Sequence, residues 1–327
     1  MSNRSLRNRA ERCAACACGA AVALAVLAAA ARAAEPEVVH ALAADRGGFV
    51  ASARFSADGK TVLTTGSKPA VRIWDAKTGK AVKSFDAPEG GFVMDAGDGG
   101  ALAVGFVKNA LVVWDLGSGK QLAELKGHTA SVLSARLSPD GKLVVSGSED
   151  KTAKVWEAKT GELVATLTGH EGPVASAQFN PDGTRVATGS YHGEVKVWDA
   201  KTGKVQLDLK GMSTSNNPTA FSADGKLLVS PRFETPAVWS AKDGKEVQEF
   251  KGHKGWCRAA SFGPGGDRIV TAGLDKTARV WDVKTGKVLH ALPHDGEVRS
   301  AVFSPDGSRV LTVSGGKALI WHLPDEK

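Results

Sequence analysis

Short apolar runs alternate with polar tetrapeptides over almost the whole chain, and the stretch from Lys126 to Leu167 shows the pattern best. Val132 to Leu137 reads as a strand of mixed polarity, Ser138-Pro139-Asp140-Gly141 as a turn, Leu143 to Ser146 as an apolar strand, and Ser148-Glu149-Asp150-Lys151 as a second turn. Lys154-Val155-Trp156 continues as a third strand, Ala158-Lys159-Thr160-Gly161 turns again, and Leu163 to Leu167 reads as a fourth strand. Each tetrapeptide stops its strand for a physical reason: Pro presets one turn dihedral, Asp caps its own backbone, and Gly accepts a positive φ. Helical spacing of apolar positions is absent, so the unit is a small antiparallel sheet of four strands.

The unit recurs. Trp74, Trp114, Trp156, Trp198, Trp239, Trp281 and Trp321 follow one another at intervals of 40 to 42 residues. The turns repeat with them, as Asp58-Gly59, Asp140-Gly141, Asp182-Gly183, Asp224-Gly225 and Asp306-Gly307 in one hairpin, and as Thr78-Gly79, Thr160-Gly161, Thr202-Gly203 and Thr285-Gly286 in another. A unit of this length cannot bury its apolar face alone, so copies must stack until the array closes or is capped. Residues 34–327 hold seven copies at this period.

Gly127-His128, Gly169-His170 and Gly252-His253 open repeats that end in Trp156-Glu157, Trp198-Asp199 and Trp281-Asp282, while Trp74-Asp75 and Trp114-Asp115 end two others. This pattern resembles the WD-repeat family, and the resemblance covers the whole chain after its first 33 residues. It implies an all-β fold, a seven-bladed β-propeller of four-stranded antiparallel blades around a central channel. The last copy stops at Ile320-Trp321-His322-Leu323 with no residues left for a fourth strand. Val38-Val39-His40-Ala41-Leu42 matches the fourth strand Val288-Leu289-His290-Ala291-Leu292 at four of five positions, so the N-terminal segment is expected to complete the last blade and close the ring.

The first 33 residues are unlike the rest. Arg4, Arg7, Arg9 and Arg12 precede an uncharged, alanine-rich stretch from Cys13 to Ala31, and Ala31-Arg32-Ala33 places small residues at both recognition positions of a signal peptidase. Residues 1–33 therefore read as a cleaved signal peptide, with an uncleaved membrane anchor as the alternative, and 34–327 as the propeller. The expected location is exported, periplasmic or extracellular. Cleavage lowers the formal charge from +7 to +3 and leaves Cys257 as the one cysteine, so neither a basic partner nor a disulfide is indicated. No membrane contact is expected after cleavage, and the protein is expected to be a monomer.

Several residues imitate chemistry. His128, Ser146 and Asp150 suggest a hydrolase triad, but the resemblance implies a buried hydrogen-bond chain that ends on the Trp156 indole, with His253, Thr271, Asp275 and Trp281 as a second set. A catalytic serine needs an exposed elbow and oxyanion donors, and the sequence shows neither. Repeat four has His192 where the turn Asp is expected, and repeat five has Met212 in the His position. Blades three and six are thus expected to be the most rigid. His128, His170, His253 and His294 fall on separate repeats, so no metal site or other cofactor is expected. Lysines such as Lys77, Lys80, Lys201, Lys204, Lys284 and Lys287 ring one face, but Asp75, Asp199 and Asp282 lie beside them without interleaved aromatics, so no nucleic-acid partner is expected.

In the resembled family the opposite face, around the channel mouth, holds protein or peptide partners. Alignment of the copies places Trp256 where Ser131, Pro173, Glu297 and Phe49 stand in other repeats, with Arg258 and Arg299 two residues further on and Tyr191 in a turn on the same face. An aromatic and arginine arc of this kind has hot-spot composition. Trp256 could equally fill a gap between blades. The expected function is a non-enzymatic interaction scaffold. Alternatives are a propeller enzyme of the hydrolase or lactonase type and a recognition module for anionic envelope polymers. The aligned inner positions read as mainly Ser, Ala, Pro and Gly, which weighs against the enzyme.

Overall fold

The structure is a computed structural model, and it describes residues 35–44, 48–67, 70–86, 91–97, 102–107, 110–209 and 219–324. The leader at 1–33 and Met212 lie outside the described residues. Seven four-stranded antiparallel sheets succeed one another as blades. Blade three consists of Val132–Leu137, Leu143–Ser148, Ala153–Glu157 and Leu163–Leu167, paired in that order from the channel outward. The other blades run over 49–85, 91–124, 174–209, 220–249, 257–293 and 298–322.

The turns work as their residues dictate. In blade three, Ser138 Oγ donates to Asp140 Oδ1 at 2.7 Å, the same carboxylate accepts from Lys142 N, and Gly141 takes φ 70° while its N–H closes onto Ser138 O. A Cβ at that φ is strained, which is why glycine recurs at the position. The repeated tryptophan also has a local signature. Val155 pairs with Ala165 but Trp156 pairs with Leu163, so one outer-strand residue is bulged out, and the same shift precedes Trp74, Trp114, Trp198, Trp239 and Trp281. Such bulges increase the local twist of the blade.

The core lies between neighbouring sheets. Trp198, Val186 and Phe179 of blade four pack on Val145, Val155 and Leu167 of blade three, and Trp156 packs likewise on blade two. Trp281 does so on blade five, and Trp74 on blade seven. Truncating a buried indole of this kind to alanine costs about 3 to 5 kcal/mol.

Closure uses the segment picked out by its likeness to a fourth strand. Glu37–Ala43 pairs antiparallel with Lys317–His322, with Val38 opposite Trp321 and Leu42 opposite Ala318. Leu42 is fully buried in the cluster that holds Phe55 and Trp74 of blade one. Arginine clasps reinforce three of the blade junctions. Arg309 of blade seven lies over the Phe55 ring and donates to Ala76 O at 3.1 Å and Gly59 O at 3.0 Å in blade one. Arg185 does the same to Phe221, Gly225 and Ala241, and Arg268 to Phe303 and Gly307. Blades one, two, three and five carry Thr61, Leu102, Leu143 and Leu227 at that position, the first residue of the second strand.

Candidate functional site

The triad-like residues meet in buried chains. His128 Nδ1 lies 2.7 Å from Asp150 Oδ2, His128 Nε2 lies 2.8 Å from Ser146 Oγ, and Trp156 Nε1 donates to Ser146 Oγ at 2.8 Å. Burial favours the uncharged imidazole and pushes His128 below its ordinary range, against the pull of Asp150. With His128 neutral, Nδ1–H donates to the carboxylate and Nε2 accepts from the Ser146 hydroxyl. Burial also disfavours the charged Asp150, but donors from Thr152, His128 and Thr129 N outweigh it and hold the carboxyl at about 2. Ser146 is completely buried and its oxygen already accepts the indole proton. Its hydroxyl proton is committed to His128 and no substrate reaches it, so the geometry is structural.

In blade six His253 sits 3.0 Å from Asp275 and 2.6 Å from Thr271 Oγ1, which accepts from Trp281 Nε1 at 2.8 Å. Blade four corrects the expectation that only blades three and six carry full chains. His170 Nδ1 lies 3.1 Å from Glu194 Oε2, His170 Nε2 lies 2.7 Å from Thr188 Oγ1, and Trp198 Nε1 donates to Thr188 at 2.7 Å. Glu194 stands where blade three has Thr152, four residues beyond the serine that ends the second strand, so its longer side chain reaches back to the place Asp150 fills. The sequence signal was a Glu in place of that Thr. His192 is not part of this chain: among the described residues its hydrogen bond runs from its backbone N–H to Ser190 Oγ. Among the described residues no group of three or more His, Cys, Asp or Glu is arranged to hold a metal ion.

On the face that carries the Gly-His loops, the backbone confirms the alignment of Trp256 with Ser131 and Pro173. Glu149 N donates to Ser131 O, Tyr191 N to Pro173 O and Leu274 N to Trp256 O. Trp256 is half-buried, and its ring meets Phe233 of blade five edge to face, with centroids 5.0 Å apart and an interplanar angle of 90°. Phe233 is 43% exposed. The aromatic neighbour of Trp256 is thus Phe233, and Phe49 stands exposed on blade one. Repeat five departs most from the common pattern, so no alignment could place Phe233; its connection through Pro231 and Pro236 brings it over. Beside this pair, Glu297 lies between two arginines, 3.7 Å from Arg258 and 2.8 Å from Arg299. Tyr191 is 42% exposed on blade four.

On the lysine face the carboxylates accept from the donors of their own turns. Asp75 Oδ1 accepts from Lys77 N and from both Thr78 N and Thr78 Oγ1, and these donors, led by the Thr78 hydroxyl, hold the carboxyl below its ordinary range. Asp199 and Asp282 repeat the arrangement with Thr202 and Thr285.

The channel wall differs from the inner positions expected. Equivalent places, counted by strand pairing from the residue before each tryptophan, hold Arg54, Asp95, Arg136 and Gln178 on blades one to four but Ala220, Ser261 and Val302 on blades five to seven. A β-bulge near the start of the first strands of blades one to four, six and seven shifts the side-chain phase past the Gly-His marker, as between Val132 and Ser134, which is why counting from that marker missed these residues.

Comparison with known proteins gives the family. The model of the WD domain, G-beta repeat, matches residues 36–75, 119–157, 161–199, 244–282 and 286–322. Similar relatives include U3 small nucleolar RNA-associated protein 12 of Saccharomyces cerevisiae, 33% identical over 29% of this chain and 10% of that protein. Serine-threonine kinase receptor-associated protein of Gallus gallus is 32% identical over 32% of this chain and 29% of its own length. Nuclear distribution protein nudF of Aspergillus niger is 36% identical over 24% and 18%. The matched stretches thus span less than a third of each of these relatives. With more than half of its residues matched by the family model and seven closed blades, the chain belongs to the WD domain, G-beta repeat family.

Proposed function

We propose that this protein is a non-enzymatic interaction scaffold that holds a protein or peptide partner on the face around Trp256. The observation that carries this reading is the Phe233–Trp256 pair, which bridges blades five and six while remaining accessible, beside Arg258, Glu297 and Arg299. Trp, Tyr and Arg in partly desolvated surroundings are the residue types on which binding energy concentrates. The four His-hydroxyl-Trp chains among the described residues, that of His294, Thr312 and Trp321 in blade seven included, support the non-enzymatic part, since each hydroxyl is buried and saturated. In this reading residues 1–33 direct export and are removed, and the propeller acts as a monomer in the periplasm or outside the cell. The buried thiol of Cys257, whose pKa burial pushes up to about 12, is compatible with an oxidising compartment because the thiolate does not form.

The test is affinity capture from the exported proteome with the intact protein, the Trp256→Ala variant and the Arg258→Ala/Arg299→Ala variant, each beside its melting curve. Lost partners at unchanged melting temperature support the reading; retained partners, or loss only together with stability, overturn it. The N-terminal sequence of the protein recovered from its producing cell tests export, and a start before Ala34 overturns cleavage after Ala33.

A further inference from the structure

At three blade junctions the arginine that opens one blade's second strand reaches the turn glycine of the next blade. Arg309 donates to Gly59 O at 3.0 Å, Arg268 to Gly307 O at 3.1 Å, and Arg185 bonds Gly225 O in the same way. Blade two carries Leu102 at that position, its Cδ1 3.9 Å from where a Cβ would stand on Gly141 of blade three. Leucine has no donor to give, and among the described residues Gly141 O accepts no hydrogen bond. A pocket of about 710 Å³ opens at this junction, lined by Leu102, Pro139 and Gly141, and side-chain-sized ligands fit pockets of about 300 to 1,000 Å³. A carboxylate is released at the same place. Asp75, Asp115, Asp199 and Asp282 each engage Oδ1 with the backbone and hydroxyl of the turn after the tryptophan. Glu157 holds that position in blade three and makes none of these bonds; its carboxylate has no hydrogen bond or ion pair among the described residues, and it lines the pocket. The other charged residues of the wall are Asp115, which accepts from Ser118, Asp140 and Lys142, which pair at 3.2 Å, and Lys159, which makes no ion pair.

We propose that this pocket receives an arginine side chain of a partner peptide, which supplies from outside the clasp that Leu102 leaves out. The arginine stem lies along Leu102 and Pro139, and its guanidinium donates to Gly141 O, as the clasps do in other blades, and to the open Glu157 carboxylate. A lysine has no planar fork to bridge two acceptors and holds its water more tightly, so it fits less well. The pocket lies on the lysine face, away from Trp256, so the inference stands apart from the scaffold reading.

Titration calorimetry at low salt with the end-blocked tripeptide Gly-Arg-Gly and its citrulline and lysine counterparts tests the proposal. Saturable binding of the arginine peptide is expected, with citrulline at least about tenfold and lysine at least about threefold weaker. Glu157→Gln removes the charge and no hydrogen bond among the described residues, so it weakens the arginine peptide about fivefold or more at unchanged melting temperature. Leu102→Arg supplies the clasp from within the chain and abolishes binding, while Trp256→Ala leaves it unchanged. The proposal is overturned by no saturation up to about 20 mM, by citrulline or lysine binding as tightly as arginine, or by an affinity indifferent to Glu157→Gln. Undiminished binding to a Leu102→Arg protein with an intact thermal transition also overturns it, as does a loss with Trp256→Ala at unchanged melting temperature.

Discussion

Blade three and blade two bury the same indole in different ways. Trp156 ends a chain of donors and acceptors running through Ser146 and His128 to Asp150, whereas Trp114 is equally buried with no hydrogen-bond partner for Nε1 among the described residues. Strand pairing explains the difference. Ser146 faces Ala135, but its counterpart Gly105 faces Val93, so blade two has exchanged a hydroxyl opposite a small residue for bulk opposite none. Every other blade with a hydroxyl bonded to its Trp repeats the alanine partner, as Ala53, Ala177, Ala260 and Ala301. Packing alone suffices to bury the tryptophan; the polar chain adds a geometry that one blade can do without. Blade two is held from its flanks instead, by Arg54 of blade one and Arg136 of blade three on the carbonyls of its first strand.

The comparison presumes a closed ring, and the largest effect tests that. Deleting 36–43 removes the Glu37–Ala43 strand and buried Leu42, and lowers the melting temperature by more than about 10 °C; an unchanged thermal transition breaks the picture. Next is blade four. Glu194→Ala leaves buried His170 and Lys196 without that carboxylate and costs about 3 kcal/mol in urea denaturation, while His192→Ala costs under about 1 kcal/mol. A reversed order would return the carboxylate role to the His192 position.

Ser146→Ala in blade three strands the Trp156 and His128 nitrogens and costs about 2 kcal/mol, whereas Val93→Ala/Gly105→Ser in blade two supplies the missing hydroxyl and stabilises by about 1 kcal/mol. Denaturation midpoints with the same sign for both would end the contrast.

Acidity sharpens it further. Burial lowers the pKa of His128, His170, His253 and His294, so the unfolded chain binds protons first as pH falls. Their contribution is fully present above about 6.5 and is lost below it, toward the lower folded values. Asp150, held at about 2, loses its share only as pH falls from 3.8 toward that value. Melting curves at about pH 7.5 and 5 should show the decline, and a variant with His128, His170 and His253 all replaced by Gln should show less of it.

The smallest effect concerns the clasps. Leu143 stands where Arg185, Arg268 and Arg309 act, and blade four already offers Phe179 and Gly183, with nothing within 4 Å of a Cβ built at Gly183. Leu143→Arg is expected to add under about 1 kcal/mol, read as a small rise in melting temperature; a fall would mean that burial of Leu143 outweighs the clasp.

Local chemistry determined what could be read without a structure. Turn tetrapeptides, the tryptophan period and the likeness of 38–42 to another fourth strand act within one repeat or repeat identically, so they specified four-stranded blades, seven copies and the closing strand. The remainder depends on side chains roughly 20 to 40 residues apart that meet only in the folded blades. Glu194 reaches a place defined by another blade's Asp150, Phe233 arrives over Trp256 through an irregular connection, and the bulges turn Arg54, Asp95 and Arg136 into the channel. Pairwise distance across an interface, bulge phase and side-chain length carry no periodic mark, so only the tertiary structure could decide them.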